Sequence, residues 1–420
     1  MPKTPWAVLL CKFSNDNSEP YPRQRYQEIF TTDGAGRFNM VDYFRDMSHG
    51  NLDLYGSTVF GWLPLGQPTS AYTGSGPNPQ GRQDLIDWAR KAAMNNGVPL
   101  ANYFSVVVVT NRRVDLFGGP HGAVCGGDSL PPSLLGQEMG HVYGLNHSRA
   151  EGSTQDYMDQ WDVMSNATSN MAPHPFYTER DARGNALFYI GPGLNAANMW
   201  DRGWADLGRV WTAGKGEIGA SVQLRPIHRH DLPGYLLARV GDYFVEFRVP
   251  EAWDAALAQP VILVHTMVDG VSYLQTGVSG NQGLTVGDTF RLGDPADTLG
   301  ALLEVHVTDI DATGHTATIS VKHQSNRHPK AGPAVVLDGV SDDAGGWVIV
   351  GGKVRHIPPR SPLTQMLHSI VSIEESGDLH SGAARDLIRR EALQSISAQA
   401  GVQLARMQKF HSPAGPLPGR

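Results

Sequence analysis

The first half of the chain alternates between strand-like and helix-like patterns of apolar residues. Apolar runs at Trp6–Phe13 and Phe104–Thr110 predict buried strands, and alternation from Asn51 to Trp62 predicts another. Helical spacing and end signals predict helices from about Asn39 to Ser48 and from about Arg82 to Asn95. An order of strand, helix, strand, helix, strand favours right-handed crossovers and a mainly parallel α/β sheet.

After about Lys215 the pattern changes to short alternating runs separated by turn residues. These runs predict the strands Ser221–Leu224, Tyr235–Val240, Tyr243–Val249, Val261–Met267, Thr289–Leu292, Leu302–Thr308 and Thr316–Val321. Seven short strands of this kind are typical of an all-β sandwich of roughly 110 residues.

A third region follows Gln324–Pro333, a polar segment with prolines that we interpret as a linker. Gly346–Ile357 predicts two strands around a Gly-Gly turn, and Pro362–Glu375 and Gly382–Met407 predict two helices. We therefore expect an α/β domain at 1–213, a β-sandwich at 214–323 and a small α/β extension at 324–420. The helical tail could pack on the body or serve as a partner-binding or secretion module.

Composition narrows the function classes. The 420 residues include 48 Gly and 28 Pro with 40% apolar residues, which indicates a globular, loop-rich protein. A net charge of -7 gives no basic surface for nucleic acid, and no apolar run is long enough for a membrane span. Cys11 and Cys125 lack the spacing of a zinc or redox motif, so we expect two buried free thiols rather than a disulfide.

The segment from Gln137 to His147, Gln-Glu-Met-Gly-His-Val-Tyr-Gly-Leu-Asn-His, carries the clearest chemical signal. On a helix that begins near Pro131-Pro132, positions 137 and 141 project from one face, with Glu138 beside them. Gly144 can adopt the left-handed conformation that ends a helix, so the chain can turn back and bring His147 to the same point. Two imidazoles, an amide oxygen and a spare carboxylate would then converge as a metal site.

This segment resembles the zinc signature of the metzincin metallopeptidases, H-E-x-x-H-x-x-G-x-x-H, with Gln137 in place of the first histidine. That variant is typical of the gametolysin and immune inhibitor A type. Tyr157–Ser165, which contains Met164, is similar to the methionine turn beneath the metal. Gly191–Trp204 resembles the helix that closes the catalytic domain of such peptidases, and Tyr243–Arg248 resembles part of the sandwich that follows it.

The resemblance covers roughly the first half of the chain and is sharp only from residue 137 to 165. It implies a zinc-dependent endopeptidase acting on proteins or peptides. One Zn²⁺ would be held by Gln137, His141 and His147, with Glu138 as the general base.

The resemblance also bears on residues outside the ligand set. Ser165 and Asn166 stand where many metzincins have a tyrosine that steadies the oxyanion, so Tyr177 is only a candidate for that role. Asp162 is a candidate for a hydrogen bond near the site. Relatives of this type are commonly exported, which implies secretion, although the opening apolar run is short and lacks a signal-peptide cleavage site.

Three alternatives stay open at this point. The motif could be a solvated polar helix face, with Met164 simply in the core. The fold could belong to a catalytically silent protein whose sandwich binds glycans or a surface, although Glu138 speaks against this because a structural metal site needs no adjacent base. The glycine-rich segment from Asn111 to Asp128 would supply an edge strand beside the substrate in this family, yet a structural loop fits as well. His121 within it is more typical of an exposed loop histidine than of a ligand.

Overall fold

The computed structural model describes residues 3–74, 80–128, 130–165, 169–214, 218–296 and 301–324, and the backbone of 338–341, 345–350 and 353–357. Residues 1–325 form one compact unit and residues 326–420 a second. The division between them falls in the segment interpreted as a linker. The boundary expected near residue 213 lies inside the first unit, so an independent domain at 1–213 stays a prediction.

A five-stranded sheet forms the first layer of the structure. Its strands lie in the order β2-β1-β3-β5-β4. They are β1 (Trp6–Lys12), β2 (Thr58–Pro64), β3 (Ser105–Thr110), β4 (Phe117–Gly119) and β5 (Gly122–Gly126). All neighbouring pairs are parallel except β4 with β5, which is antiparallel. The prediction of a mainly parallel sheet is confirmed, and the glycine-rich segment supplies β4, one of its two edge strands.

The described residues of the first unit include five α-helices: α1 (Arg23–Phe30), α2 (Met40–Met47), α3 (Gln80–Asn95), α4 (Pro132–Val142) and α5 (Ala196–Asp201). Asn39 caps α2 and Asn195 caps α5, as their sequence signals indicate. Only α1 was not predicted; it begins after Pro22 without a side-chain cap.

Side chains alternate between the two faces of the sheet and so divide its core. Leu10 and Val109 belong to the cluster that also contains residues of α1, α2 and α4, whereas Leu9 belongs to the cluster with residues of α3. Cys125 lies in the first cluster and Cys11 in the second. Both cysteines are buried and free, as expected, because the sheet separates them.

The remaining strands of the first unit are short or belong to two further sheets. They are β6 (Arg149–Ala150), β7 (Ala172–Pro173), β8 (Tyr189–Ile190), β9 (Val210–Thr212), β10 (Ile218–Leu224), β11 (Leu237–Val240), β12 (Tyr243–Arg248), β13 (Val261–Val268), β14 (Val271–Leu274), β15 (Thr289–Leu292), β16 (Leu302–Asp311) and β17 (Thr316–Gln324). One sheet has the order β10-β17-β16-β15 and the other β6-β14-β13-β12-β11-β9. Buried residues from both sheets share one core, so the predicted sandwich is confirmed with β14 as an additional strand.

The second sheet of the sandwich also takes in strands from the first 213 residues. β6 pairs in parallel with β14, with Arg149 opposite Tyr273, and β9 pairs in parallel with β11. Because β6 begins two residues after His147, the segment that carries the predicted third ligand is tied to the sandwich.

The second unit is described only in part. β18 (Asp338–Ser341), β19 (Gly345–Val350) and β20 (Lys353–Ile357) form an antiparallel sheet in which Val350 pairs with Lys353. The two predicted strands are therefore present. The helices predicted at 362–375 and 382–407 lie outside the described residues. Within the described part of the chain, no helix is long and apolar enough to cross a membrane.

Candidate metal centre

Helix α4 carries Gln137, Glu138 and His141 and ends at the predicted glycine. Gly144 has φ +86°, and the amide of Leu145 donates to the carbonyl of Gly140 at 3.1 Å. This closure is the glycine-ended helix stop expected from the sequence. The hydroxyl of Tyr143, the C-cap residue, lies 3.0 Å from the indole Nε1 of Trp6 on β1, which anchors the helix end to the sheet.

The turn after Gly144 brings the two histidines of the motif together. The Nε2 atoms of His141 and His147 are 3.0 Å apart, and their rings cross at 81°. The two histidines therefore lie side by side across the helix end, and their role as metal ligands stays a prediction. Burial, the largest influence, lowers the pKa of His141.

The hydrogen bonds of the Nδ1 atoms of His141 and His147 indicate which ring nitrogen carries the proton. His141 Nδ1 lies 2.8 Å from the carbonyl oxygen of Leu145, and His147 Nδ1 lies 3.3 Å from Asp156 Oδ2. Both partners accept, so each Nδ1 carries the proton and each neutral ring presents an Nε2 lone pair. Two lone pairs at this distance repel each other, and a cation between them would remove that repulsion. The arrangement therefore fits a shared metal ion, with outer-nitrogen hydrogen bonds of the kind that orient histidine ligands.

Gln137 is the third metal ligand that the sequence predicts. Its side chain is 6% exposed and forms no hydrogen bond with any described residue, so its amide oxygen remains available as a neutral donor. It stands one helical turn before His141 on the same face. In the part of the chain that is described, no group of three or more His, Cys, Asp and Glu side chains is arranged to hold a metal. A metal here would depend on Gln137 as the third ligand.

Met164 packs against helix α4 beside His141. It is fully buried, and a Cβ added to Gly140 would be 2.6 Å from the Met164 sulfur. Because Gly140 has no side chain, the Met164 sulfur can pack directly against the helix backbone beside His141. The backbone amide of Ser148 donates to the Met164 carbonyl at 3.0 Å, which joins the turn to the residue after His147.

Glu138 lies on the part of α4 that packs against the edge strand β4. Its side chain belongs to a residue only 9% exposed, and burial raises its pKa to about 7. The charge of Arg82 and a hydrogen bond from the backbone of Gly118 on β4 lower the pKa in part. A Cβ on Gly118 would be 1.9 Å from the Glu138 carbonyl oxygen, which shows how closely strand and helix approach.

Two residues of the site were missed by sequence reasoning. Tyr157 has a φ of +67°, and its hydroxyl lies 2.9 Å from His147 Nε2. Burial and the charge of Glu138 raise the pKa of Tyr157, so its hydroxyl stays protonated at neutral pH. Asp156 bonds His147 and accepts a 2.8 Å hydrogen bond from Arg149 Nε on β6. The only sequence signal for either residue was its place between His147 and Met164.

Asp162 is part of the support behind the site rather than of the site itself. It is fully buried and accepts hydrogen bonds from Ser148 Oγ at 2.5 Å and from the side-chain amides of Asn195 and Asn198 at 2.7 Å. It thereby connects the methionine turn, the residue after His147 and helix α5. Burial and the neighbouring Asp159 raise the pKa of Asp162 to about 7.

The structure does not bring two other candidates to the histidines. Tyr177 lies in an aromatic cluster with His174 and Phe188, beneath the guanidinium of Arg25. It has no contact with His141 or His147 among the described residues. His121 is exposed at the turn between β4 and β5, and its carbonyl oxygen accepts a hydrogen bond from Arg90.

Comparison of the chain with protein-family models, with curated proteins and with solved structures found no significant match. The described residues form a mixed α/β protein with mainly β-sheets and few helices.

Proposed function

We propose that this protein is a zinc-dependent endopeptidase. The single observation that carries the proposal is the facing pair of His141 and His147 Nε2 atoms, 3.0 Å apart with both Nδ1 atoms bonded to acceptors. Gln137, His141 and His147 would hold the ion. When bound, zinc would polarise the scissile carbonyl group and lower the pKa of the attacking water.

Glu138 is the proposed general base. It follows Gln137 directly on α4, and its burial favours a carboxyl group that can both take and return a proton near neutral pH. It accepts the proton of the attacking water and passes it to the leaving amine.

Tyr157 is the proposed donor to the oxyanion, a role for which the sequence suggested only Tyr177. Its hydroxyl is already at the histidine pair, 2.9 Å from His147 Nε2, and remains protonated. A preformed donor of this kind stabilises the charge that develops on the carbonyl oxygen.

Strand β4 is the proposed binding edge for the peptide. It is the last strand of its sheet, antiparallel to β5, and Gly118 lies against the base-carrying helix. An extended peptide could add to this edge by main-chain hydrogen bonds, with its scissile bond carried toward Glu138.

The test is digestion of denatured casein by the purified full chain. We expect cleavage that a zinc chelator abolishes and that added Zn²⁺ restores after the chelator is removed. Cleavage that persists in chelator would overturn a metal-dependent mechanism. Absence of cleavage with zinc bound would support the silent scaffold instead.

A further inference from the structure

A groove of about 560 Å³ lies in the first unit, between the start of the methionine turn and loops of the sandwich. Gln160 and Trp161 line it from the turn, and Leu257, Gln259 and Gln282 are among the residues that line it from the sandwich. None of the proposed metal ligands, nor Glu138, contributes to it. Its volume lies within the range of about 300–1,000 Å³ that is typical of small-molecule sites.

Among the described residues, the polar groups that line the groove are all uncharged. They are the side chains of Gln160, Asn170, Gln259, Thr276, Asn281, Gln282 and Thr285. Gln160, Gln259 and Gln282 form no side-chain hydrogen bond with any described residue. Each amide offers both donors and an acceptor, so these three side chains can pair with a ligand without breaking bonds within the protein.

Trp161 provides a fixed aromatic surface in this groove. It is half-buried and packs on the small cluster that contains Val261 and Leu263. A Cβ on Gly283 would be 3.1 Å from the indole Cζ2, and the Trp161 carbonyl accepts a 2.9 Å hydrogen bond from the buried Arg248. The ring is therefore held in place before any ligand arrives. Its Nε1 donates to no described residue.

We propose that this groove binds a neutral oligosaccharide. A sugar ring has an apolar C–H face that can stack on an indole, and hydroxyl groups at its rim that both donate and accept hydrogen bonds, as amides do. The described lining residues carry no charge, so they give an anionic glycan or a nucleic acid no partner. An extended peptide is the competing occupant, but its charged side chains would also be unpaired here. This site goes beyond the proposed peptidase activity and does not depend on it.

The test is affinity electrophoresis of the full chain through native gels that contain galactomannan, mixed-linkage β-glucan or soluble starch. A gel with polygalacturonate, which is anionic, runs in parallel, and chelator is present throughout so that binding is measured apart from any metal-dependent cleavage. We expect at least one neutral polysaccharide to retard the protein, with a dissociation constant raised at least tenfold by Trp161→Ala.

A second variant separates the groove from the methionine turn. Gln259→Ala with Gln282→Ala removes two unpaired amides and leaves Trp161 in place, so retardation should weaken several-fold. The matched control, Gln24→Ala with Gln155→Ala, changes two exposed glutamines outside the groove and should leave retardation unchanged.

Three results would overturn the proposal. These are no retardation by any neutral polysaccharide, retardation that both groove variants keep, and retardation by polygalacturonate alone. Loss of retardation on addition of casein peptides would assign the groove to peptides instead. Because chelator is present, none of these results bears on casein cleavage.

Discussion

The direction of each histidine at the candidate site depends on the acceptor bonded to its Nδ1. Asp156 fulfils this role for His147 and is itself held by Arg149, whose side chain also reaches the hydroxyl of Tyr273 at 3.4 Å. The Arg149 hydrogen bond, as the largest influence, lowers the pKa of Asp156, so this carboxyl group stays ionised as an acceptor.

Replacing Asp156 with asparagine should weaken zinc binding while all three ligands remain. The amide is a poorer acceptor for the His147 proton, and loss of such a partner typically costs about 10–100-fold in metal affinity. Competition with a chromophoric chelator measures the change. Asp87→Asn on the exposed face of α3 is the matched control and should bind zinc as wild type does. Equal affinity in both variants would contradict the role of Asp156.

Tyr157→Phe tests the proposed oxyanion donor. Removal of one such donor lowers kcat by about 10²-fold or more, whereas zinc content should not change, because the hydroxyl is not one of the three proposed ligands. Kinetics on a fluorogenic peptide separates kcat from KM. A variant with normal kcat would show that the hydroxyl does not act on the reacting carbonyl group.

The sequence was sufficient for the residues that follow local geometry. Helical spacing and the left-handed glycine at 144 are local properties, and together they predicted the meeting of His141 and His147. Tyr157 and Asp156 were missed because their positions depend on the irregular chain between His147 and Met164, which has no period. Tyr177 was suggested by chain order after Met164, but packing against Phe188 and Arg25 places it elsewhere.

Among the elements, the contact between β4 and α4 is the closest link between the sheet and the proposed base. Gly118→Ala would force β4 away from the helix, because a Cβ would be 1.9 Å from the Glu138 carbonyl oxygen. We expect a loss of about 1–3 kcal/mol in the free energy of unfolding, as for other overpacked sites, and at least a tenfold loss of peptide cleavage.

Gly119→Ala is the matched control for that change. It is the next residue of the same strand, and nothing lies within 4 Å of an added Cβ. Its free energy of unfolding should stay within about 0.5 kcal/mol of wild type. Denaturant unfolding and casein digestion measure both variants. Similar effects at the two positions would contradict the proposed contact.

The sequence pattern predicted some helices and strands and missed others. Helices α2 and α5 were predicted because they have cap residues, whereas α1 was missed because it follows two prolines and has no side-chain cap. The pairing of β6 with β14 was not predictable, since a two-residue strand has no pattern of its own and its partner lies more than a hundred residues away.

Within the first unit as a whole, buried charges join the methionine-turn segment to the sandwich. His265 on β13 is fully buried, with its Nε2 3.0 Å from Asp159 and its Nδ1 3.6 Å from Glu246. Burial lowers the pKa of His265, but the hydrogen bond and charge of Asp159, with the charge of Glu246, outweigh burial and raise it above its ordinary value.

This network predicts a pH-dependent difference between wild type and His265→Gln. A raised pKa means that the imidazolium contributes stability in full below about pH 6.5, and that this contribution is lost as the pH rises through the folded-state pKa. The calorimetric Tm values of wild type and His265→Gln should therefore approach each other as the pH is raised from about 6. A difference that stays constant or grows with pH would contradict a charged His265.

The central claim is that Gln137, His141 and His147 hold a zinc ion and that Glu138 acts beside it. The most direct test measures bound zinc and peptide cleavage in the same samples of wild type, Glu138→Ala and Gln137→His. We predict about one zinc per chain and cleavage in wild type. Glu138→Ala should keep its zinc but lose about 10²-fold or more of its activity, and Gln137→His should bind zinc at least as tightly as wild type. Wild type without zinc, or a zinc-loaded Glu138→Ala that cleaves as fast as wild type, would contradict the account.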